Sequence, residues 1–282
     1  MKLLSYVVEG RPGYGAVKDD GVIDLGRRLA SRTLRELLEA GGLPDAAAAL
    51  KTAAADHPLA AISYAPVIPD PGKIICVGLN YRDHVAEVGR TVTEKPALFA
   101  RFPGSQVGHL QPVIRPRVSE QFDYEGELAV IIGRPGRHIR RADALSHVAG
   151  YACYNEGSVR DWQRHTTQFL AGKTFEQSGA FGPWLVTADE IPDPGKLTLQ
   201  TRLNGQTVQD TTTDLLITDI PDLIVYCSTI MTLQPGDVIV TGTPGGVGLK
   251  RTPPLFMKPG DTVEVEISGI GVLRNPVAAE DA

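Results

Sequence analysis

The stretch FDYEGELAVIIG, residues 122–133, decides the fold because its second half is apolar without interruption. A strand with one solvated face alternates apolar and polar residues, whereas ELAVIIG (127–133) offers no polar face. KIICVGL, residues 73–79, has the same character. Both stretches therefore predict strands that are buried on both faces, in the interior of the larger part of the protein.

Shorter strand patterns follow towards the C-terminus. LTLQTRLNGQTVQD (197–210) predicts a hairpin that turns at Asn204-Gly205, and residues 237–242 and 261–277 predict the last strands. Helical patterns are fewer and short. They lie at residues 80–89, 142–150 and 220–231. These proportions indicate a β-rich α+β fold.

The N-terminal residues form a separate pattern, which predicts a small α/β domain. Residues 2–8 read as a strand, and Asp20-Gly21 joins two further strands in a predicted hairpin. Two helical patterns follow, at residues 33–42 and 45–57, before the proline-rich and glycine-rich stretch 62–73. The predicted domains are residues 1–68 and residues 69–282.

Composition excludes several classes of protein. The 282 residues are 42% hydrophobic and 22% charged, which is typical of a folded globular chain, and the net charge of −5 lacks the basic footprint of a nucleic-acid-binding protein. No apolar run reaches eighteen residues and no signal peptide is recognisable, so a cytoplasmic protein without a membrane partner is expected. The three cysteines lie in apolar contexts and predict buried thiols.

Three acidic residues are candidate metal ligands. Glu125 and Glu127 alternate on a strand and so share one face, where a cation such as Mg²⁺ would relieve their repulsion. Glu156, in the polar cluster NEGS (155–158), offers a third carboxylate. Alternatively, Glu125 and Glu127 are solvated acids at the start of an exposed strand, and Glu156 belongs to the capped N-terminus of a helix.

Two further groups suggest catalysis. His84 and Glu87 are three residues apart, so on a helix the carboxylate would orient the imidazole as a general base, although an exposed pair is the alternative. Lys173 lies among small and apolar residues, where its charge could stabilise an oxyanion, if it is not simply solvated. The glycines of TGTPGGVG (241–248) let backbone N–H groups approach an anion, and Thr243 adds a hydroxyl.

The order of these motifs resembles the fumarylacetoacetate hydrolase family, from about residue 70 to residue 277. The motifs are CVGLNYRDHVAE (76–87), KPALFARFPGS (95–105), DYEGELAVIIG (123–133), NEGSVRDWQ (155–163), GK (172–173) and GDVIVTGTPGGVG (236–248). The N-terminal unit is similar to the small lead domain of such proteins. The resemblance implies a mixed β-sandwich roll as the catalytic domain and a homodimer.

The resemblance also implies a role for each candidate residue. Glu125, Glu127 and Glu156 would bind Mg²⁺ or Mn²⁺, with Ca²⁺ as a third option, although the family most often has Asp where this chain has Glu156. His84 and Glu87 match a pair that activates water. Lys173 matches a lysine that meets the oxygens of the substrate, Gln163 matches a glutamine that touches the substrate, and Thr243 matches a position that holds the substrate carboxylate. Arg101 stands where many relatives carry Lys, and the resemblance suggests that it recognises the charge of the substrate.

The implied function is metal-dependent hydrolysis of a carbon–carbon bond in a 2,4-dioxo acid of the acylpyruvate, fumarylpyruvate or fumarylacetoacetate type, as in the breakdown of aromatic compounds. The same site could instead decarboxylate oxaloacetate or isomerise a hydroxymuconate-type or hydroxyheptadienedioate-type dienoate, because each reaction needs a stabilised enolate. A third alternative is a non-catalytic β-rich binding protein whose site has decayed.

Overall fold

The computed structural model describes residues 1–281, which form a β-rich α+β fold built on a large mixed sheet. The strands are β1 (Lys2–Val8), β2 (Arg11–Lys18), β3 (Gly21–Asp24), β4 (His57–Pro58), β5 (Ser63–Tyr64), β6 (Ile74–Gly78), β7 (Ala97–Arg101), β8 (Gln106–Val107), β9 (Val113–Arg115), β10 (Phe122–Asp123), β11 (Gly126–Ile132), β12 (Val148–Asn155), β13 (Ser158–Val159), β14 (Gly179–Thr187), β15 (Thr198–Leu203), β16 (Gln206–Thr212), β17 (Val238–Val240), β18 (Thr262–Ile267) and β19 (Gly271–Ala279).

Helices are short and lie between the strands. The α-helices are α1 (Leu34–Glu39), α2 (Leu43–Thr52), α3 (Arg82–Glu87), α4 (Arg160–Gln163), α5 (Leu170–Lys173) and α6 (Ile220–Ile230). The 3-10 helices are Leu59–Ala61, Pro103–Ser105, Arg141–His147, Ala188–Glu190, Pro194–Lys196, Thr213–Leu215 and Gly248–Lys250. Within residues 1–281, no helix has the length and apolarity needed to cross a bilayer.

The large sheet has the order β4-β3-β2-β1-β14-β12-β11-β17-β6-β7, with β5 beside β1 and β8 beside β14. It is mixed, since β17 pairs parallel with β6 while most other neighbours are antiparallel. A second sheet has the order β16-β15-β18-β19-β9, and β10 pairs with β13 in a small ribbon. The predicted fold class is confirmed.

Strand β11 is fully buried, as its apolar sequence predicts. Because successive side chains point to opposite faces, the strand contributes to two cores. Leu128, Val130 and Ile132 pack in the core shared with the second sheet. Ala129 and Ile131 pack in the core shared with the N-terminal strands and α1. The start of β11 therefore lies between two packed layers, which holds its acidic residues in place.

The N-terminal elements continue the large sheet. β2 and β3 form the hairpin predicted at Asp20-Gly21, and β1 pairs with β2 on one side and with β14, through Leu3 and Leu185, on the other. The core that contains Leu3 also contains Ile74 and Ile131, so residues on both sides of the predicted boundary near residue 68 pack together. The division into two domains stays a prediction.

Of two other predictions, one is confirmed and one is partly correct. The hairpin at Asn204-Gly205 is confirmed, with β15 and β16 on either side. The helix predicted over residues 142–150 is only partly correct, because the 3-10 helix ends at His147 and β12 begins at Val148. Pairing with β11, where Val148 lies opposite Ile132, satisfies the backbone of this apolar segment as a strand.

Candidate metal centre and active site

Three carboxylates converge where β11 begins and β12 ends. Glu125 precedes β11, Glu127 is its second residue, and Glu156 follows β12. The antiparallel pairing of Gly126 with Asn155 brings the two strand ends together, and the Glu156 N–H donates to the Glu125 carbonyl over 2.8 Å. Oxygen atoms of the three carboxylates lie within 4.8 Å of one another, and all three residues are buried.

Two buried cations contact this triad. Lys173, the last residue of α5, donates to Glu125 and to Glu156 Oε2, the latter over 2.8 Å. Arg160, the first residue of α4, lies 2.8 Å from both Glu125 Oε1 and Asp123 Oδ2. No spacing along the chain marks Arg160 as part of the site.

The charges in the cluster shift one another's pKa values. Burial alone would raise the pKa of Glu125, but Arg160 and Lys173 outweigh burial and hold this pKa well below its usual range. Burial and the neighbouring Glu156 and Glu125 raise the pKa of Glu127 well above its usual range. Burial opposes the charge on Lys173, yet Glu125 and Glu156 raise its pKa. The cluster therefore disfavours the ionised form of Glu127 unless a further positive charge is present.

The triad fits a hard divalent cation. Glu156 Oε1 is buried and has no hydrogen-bond partner among the described residues, so one carboxylate oxygen of the triad is free to bind an ion. An unpaired buried carboxylate oxygen is costly, and a divalent ion with oxygen ligands would satisfy it. The side chain of Glu156 brings its carboxylate to the other two, so the extra methylene relative to Asp does not separate the triad.

His84 and Glu87 form a pair on α3 above the triad. His84 Nδ1 lies 3.3 Å from Glu87 Oε2, and His84 is buried. Burial would raise the pKa of Glu87, but the contact with His84 and the bond from the Gly246 N–H lower it. An ionised carboxylate only accepts hydrogen bonds, so it favours a proton on Nδ1 and leaves Nε2 of His84 as the basic nitrogen.

The glycine-rich loop 241–248 binds anions, as its sequence suggests, but the anions are carboxylates of the protein itself. The amides of Gly242, Gly245, Gly246 and Gly248 donate to Glu127, Asp83, Glu87 and Asp123, respectively. Gly242 and Gly246 have φ values of +106° and +98°, a region that favours glycine. This loop therefore orients three carboxylates, which are Glu127 of the triad, Glu87 beside His84 and Asp123 beside Arg160.

A cavity of about 490 Å³ opens above the triad, which is a typical size for a small-molecule site. Eight of the nine residues singled out in the sequence belong to this region. Those in the cavity lining are His84, Glu125, Glu127, Glu156, Gln163, Lys173 and Thr243. Glu87 contacts the lining through His84, and Thr243 donates to the Gly126 carbonyl.

Arg101 is the exception, and a direct contact with substrate is not supported by its position. It is 2% exposed and does not line the cavity. Its guanidinium donates to the Gly157 carbonyl over 2.9 Å and to the Ser178 hydroxyl over 2.8 Å. Because Gly157 follows Glu156, Arg101 supports the backbone behind one carboxylate of the triad.

Replacement of Arg101 with methionine should therefore lower the free energy of unfolding by about 3 kcal/mol, because buried acceptors lose a charged donor. The affinity of the cavity for its ligands should change little by comparison. Chemical denaturation measures the first effect and calorimetry the second. Arg117→Met is the matched control at an exposed position, and equal stability of the two variants would contradict the assigned role.

Comparison with known proteins gives a consistent result. Residues 73–278 match the family model described as fumarylacetoacetate (FAA) hydrolase C-terminal. The chain is 42% identical over 250 residues to the human mitochondrial oxaloacetate tautomerase FAHD2A, covering 87% of this chain and 80% of that protein.

Two solved structures extend the comparison. The 5-carboxymethyl-2-hydroxymuconate delta-isomerase of Mycobacterium smegmatis is 32% identical, with a TM-score of 0.79 over 100% of both chains. The maleylpyruvate hydrolase of Sphingobium sp. SYK-6, solved with manganese(II) and pyruvate, is 30% identical, with a TM-score of 0.83 over 100% of both chains. Similar proteins thus carry three different activities.

Proposed function

Because the chain belongs to the fumarylacetoacetate hydrolase family, a family of enzymes, we propose that it interconverts the keto and enol forms of a 2-oxo acid of the oxaloacetate type, with a divalent metal ion as cofactor. One observation carries the proposal. The buried triad and the His84–Glu87 pair face the same cavity, so a Lewis-acid site and a base can reach one substrate. The greater identity to the tautomerase than to the isomerase or the hydrolase supports the choice of reaction.

Glu125, Glu127 and Glu156 would hold Mg²⁺ or Mn²⁺, which would polarise the 2-oxo group of the substrate. His84 then removes a proton from C3 through Nε2. The electron pair of that C–H bond forms the C2=C3 double bond, the π pair of the C2=O bond moves to the 2-oxygen, and the His84 imidazolium returns its proton to that oxygen. Glu87 stabilises the imidazolium that forms, as a carboxylate partner of a catalytic histidine does.

Other residues of the cavity would bind and orient the substrate. The Lys173 ammonium is the buried donor closest to the triad and would donate to the oxygen on which negative charge develops. Gln163 and Thr243 are polar groups of the lining that suit the substrate carboxylate. The homodimer implied by the sequence resemblance stays a prediction.

Hydrolysis of an acylpyruvate is the second candidate. The His84–Glu87 pair could equally take a proton from water, and the similarity to a maleylpyruvate hydrolase favours this use of the pair. The two reactions differ in whether a carbon–carbon bond breaks. Decarboxylation and dienoate isomerisation remain variants of the same enolate chemistry.

The test compares two substrates on the metal-stripped and Mg²⁺-loaded protein. We expect Mg²⁺-dependent acceleration of oxaloacetate keto–enol exchange, followed by the ultraviolet absorbance of the enol, with no release of pyruvate. Cleavage of acetylpyruvate without acceleration of oxaloacetate exchange would replace the tautomerase proposal with the hydrolase. Absence of Mg²⁺ and Mn²⁺ binding in calorimetry would favour a non-catalytic protein.

A further inference from the structure

Three cations at the mouth of the cavity have no role in the chemistry above. Arg90, Arg164 and Lys250 all line the cavity and all are exposed, so they lie at its solvent end. They come from separate segments, since Arg90 follows α3, Arg164 follows α4, and Lys250 ends a 3-10 helix. The fold therefore collects positive charge around one opening from three places along the chain.

These charges lack partners of opposite sign in the part of the chain that the structure describes. No ion pair within residues 1–281 includes Arg90, Arg164 or Lys250. The acidic residues of the lining are the buried triad alone. In a chain with a net charge of −5, the cavity lining therefore has three exposed cations at its mouth and no exposed carboxylate.

Two of the three cations are also positioned by neutral neighbours. Arg164 donates to Gln121 Oε1 over 3.1 Å, and the Arg90 guanidinium lies 5.8 Å from the centre of the Phe169 ring. Neither neighbour carries a charge, so both guanidinium groups keep donors for a ligand. Guanidinium and ammonium groups bind carboxylates through charge-assisted hydrogen bonds.

We propose that Arg90, Arg164 and Lys250 form a subsite for a second carboxylate at the far end of the substrate, which makes the enzyme selective for 2-oxo dicarboxylic acids over 2-oxo monocarboxylic acids. The inference rests on the proposed function, because the first carboxylate and the 2-oxo group must occupy the triad end of the cavity. The second carboxylate would then extend towards the three cations at the mouth.

The experiment uses two ligands of equal carbon number, 2-oxoglutarate and 2-oxopentanoate, which differ by the distal carboxylate. Calorimetry with the Mg²⁺-loaded protein should give tighter binding of 2-oxoglutarate by about tenfold or more. The triple variant R90Q/R164Q/K250Q should lose this preference, while 2-oxopentanoate and oxalate bind within about twofold of wild type. Arg82→Gln, an exposed cation on α3 outside the cavity lining, should keep the preference.

Oxalate separates this inference from the proposed function, because it has no distal group that could reach the mouth. If oxalate binds to both proteins and the preference for 2-oxoglutarate is absent or survives in the triple variant, the subsite is wrong and the proposed function stands. If neither oxalate nor any 2-oxo acid binds in the presence of Mg²⁺, the proposed function itself fails. A preference that weakens in 0.5 M salt relative to low salt would further support a subsite made of exposed charges.

Discussion

Replacement of Glu127 with glutamine should lower kcat/KM for the proposed 2-oxo acid by at least about 10³-fold, because Lewis-acid polarisation is worth several kcal/mol and each 1.4 kcal/mol is tenfold. Glutamine has nearly the same shape and keeps an oxygen that can accept from the Gly242 N–H. It lacks the charge that binds a divalent ion. The variant should therefore fail to bind Mg²⁺ and Mn²⁺ in calorimetry.

The same substitution should leave the metal-free protein at least as stable as wild type. Burial and the charges of Glu156 and Glu125 disfavour the ionised form of Glu127, and glutamine removes that repulsion. Loss of metal binding with unchanged or increased resistance to urea would thus separate a ligand from a folding defect. Glu176→Gln, at an exposed position outside the cavity, serves as the control. Activity of Glu127→Gln within tenfold of wild type would rule out the triad as the metal site.

Replacement of His84 with asparagine should lower kcat by about 10²- to 10⁴-fold, the usual contribution of a general base. Asparagine preserves a donor for Glu87 but offers no basic nitrogen. Because His84 is not one of the triad carboxylates, metal affinity should stay within a fewfold of wild type. This combination of intact binding and lost turnover distinguishes a base from a ligand.

Calorimetry and steady-state kinetics on the same preparation of His84→Asn measure both quantities. Glu87→Gln should have a smaller effect in the same direction, since it removes the charge that favours the imidazolium and leaves the imidazole in place. Full activity of His84→Asn on oxaloacetate, together with normal Mg²⁺ binding, would mean that another group moves the proton.

Local sequence patterns predicted much of the fold because strand burial and turn formation depend on residues that are close in sequence. The apolar run at residues 128–133 indicates a strand buried on both faces whatever its neighbours are, and Asn204-Gly205 favours a tight turn by its backbone preferences alone. The secondary structure of segment 142–150 was harder to predict, because its helical pattern competes with strand pairing to β11. The outcome there depended on a partner that is distant in sequence.

The candidate site divides in the same way. Glu125 and Glu127 share a face by alternation, and His84 and Glu87 share a helix face by spacing, so single segments suggested both pairs. Arg160 is a site residue that the sequence patterns did not reveal. Its pairing with Asp123 and Glu125 arises because β13 lies against β10, and no spacing along the chain encodes that contact.

By itself, the sequence determined the β-rich fold class and the order of the motifs, because hydrophobic periodicity and local spacing act over a few residues. With the family resemblance it also pointed to nine site residues, seven of which line the cavity. Only the tertiary structure decided that Glu156 joins the acidic pair with an unpaired oxygen, that Arg101 lies behind the site, and that three cations from separate segments surround its mouth. Those features depend on strand register and on packing between distant segments, where burial and charge are set by neighbours that the linear pattern does not reveal.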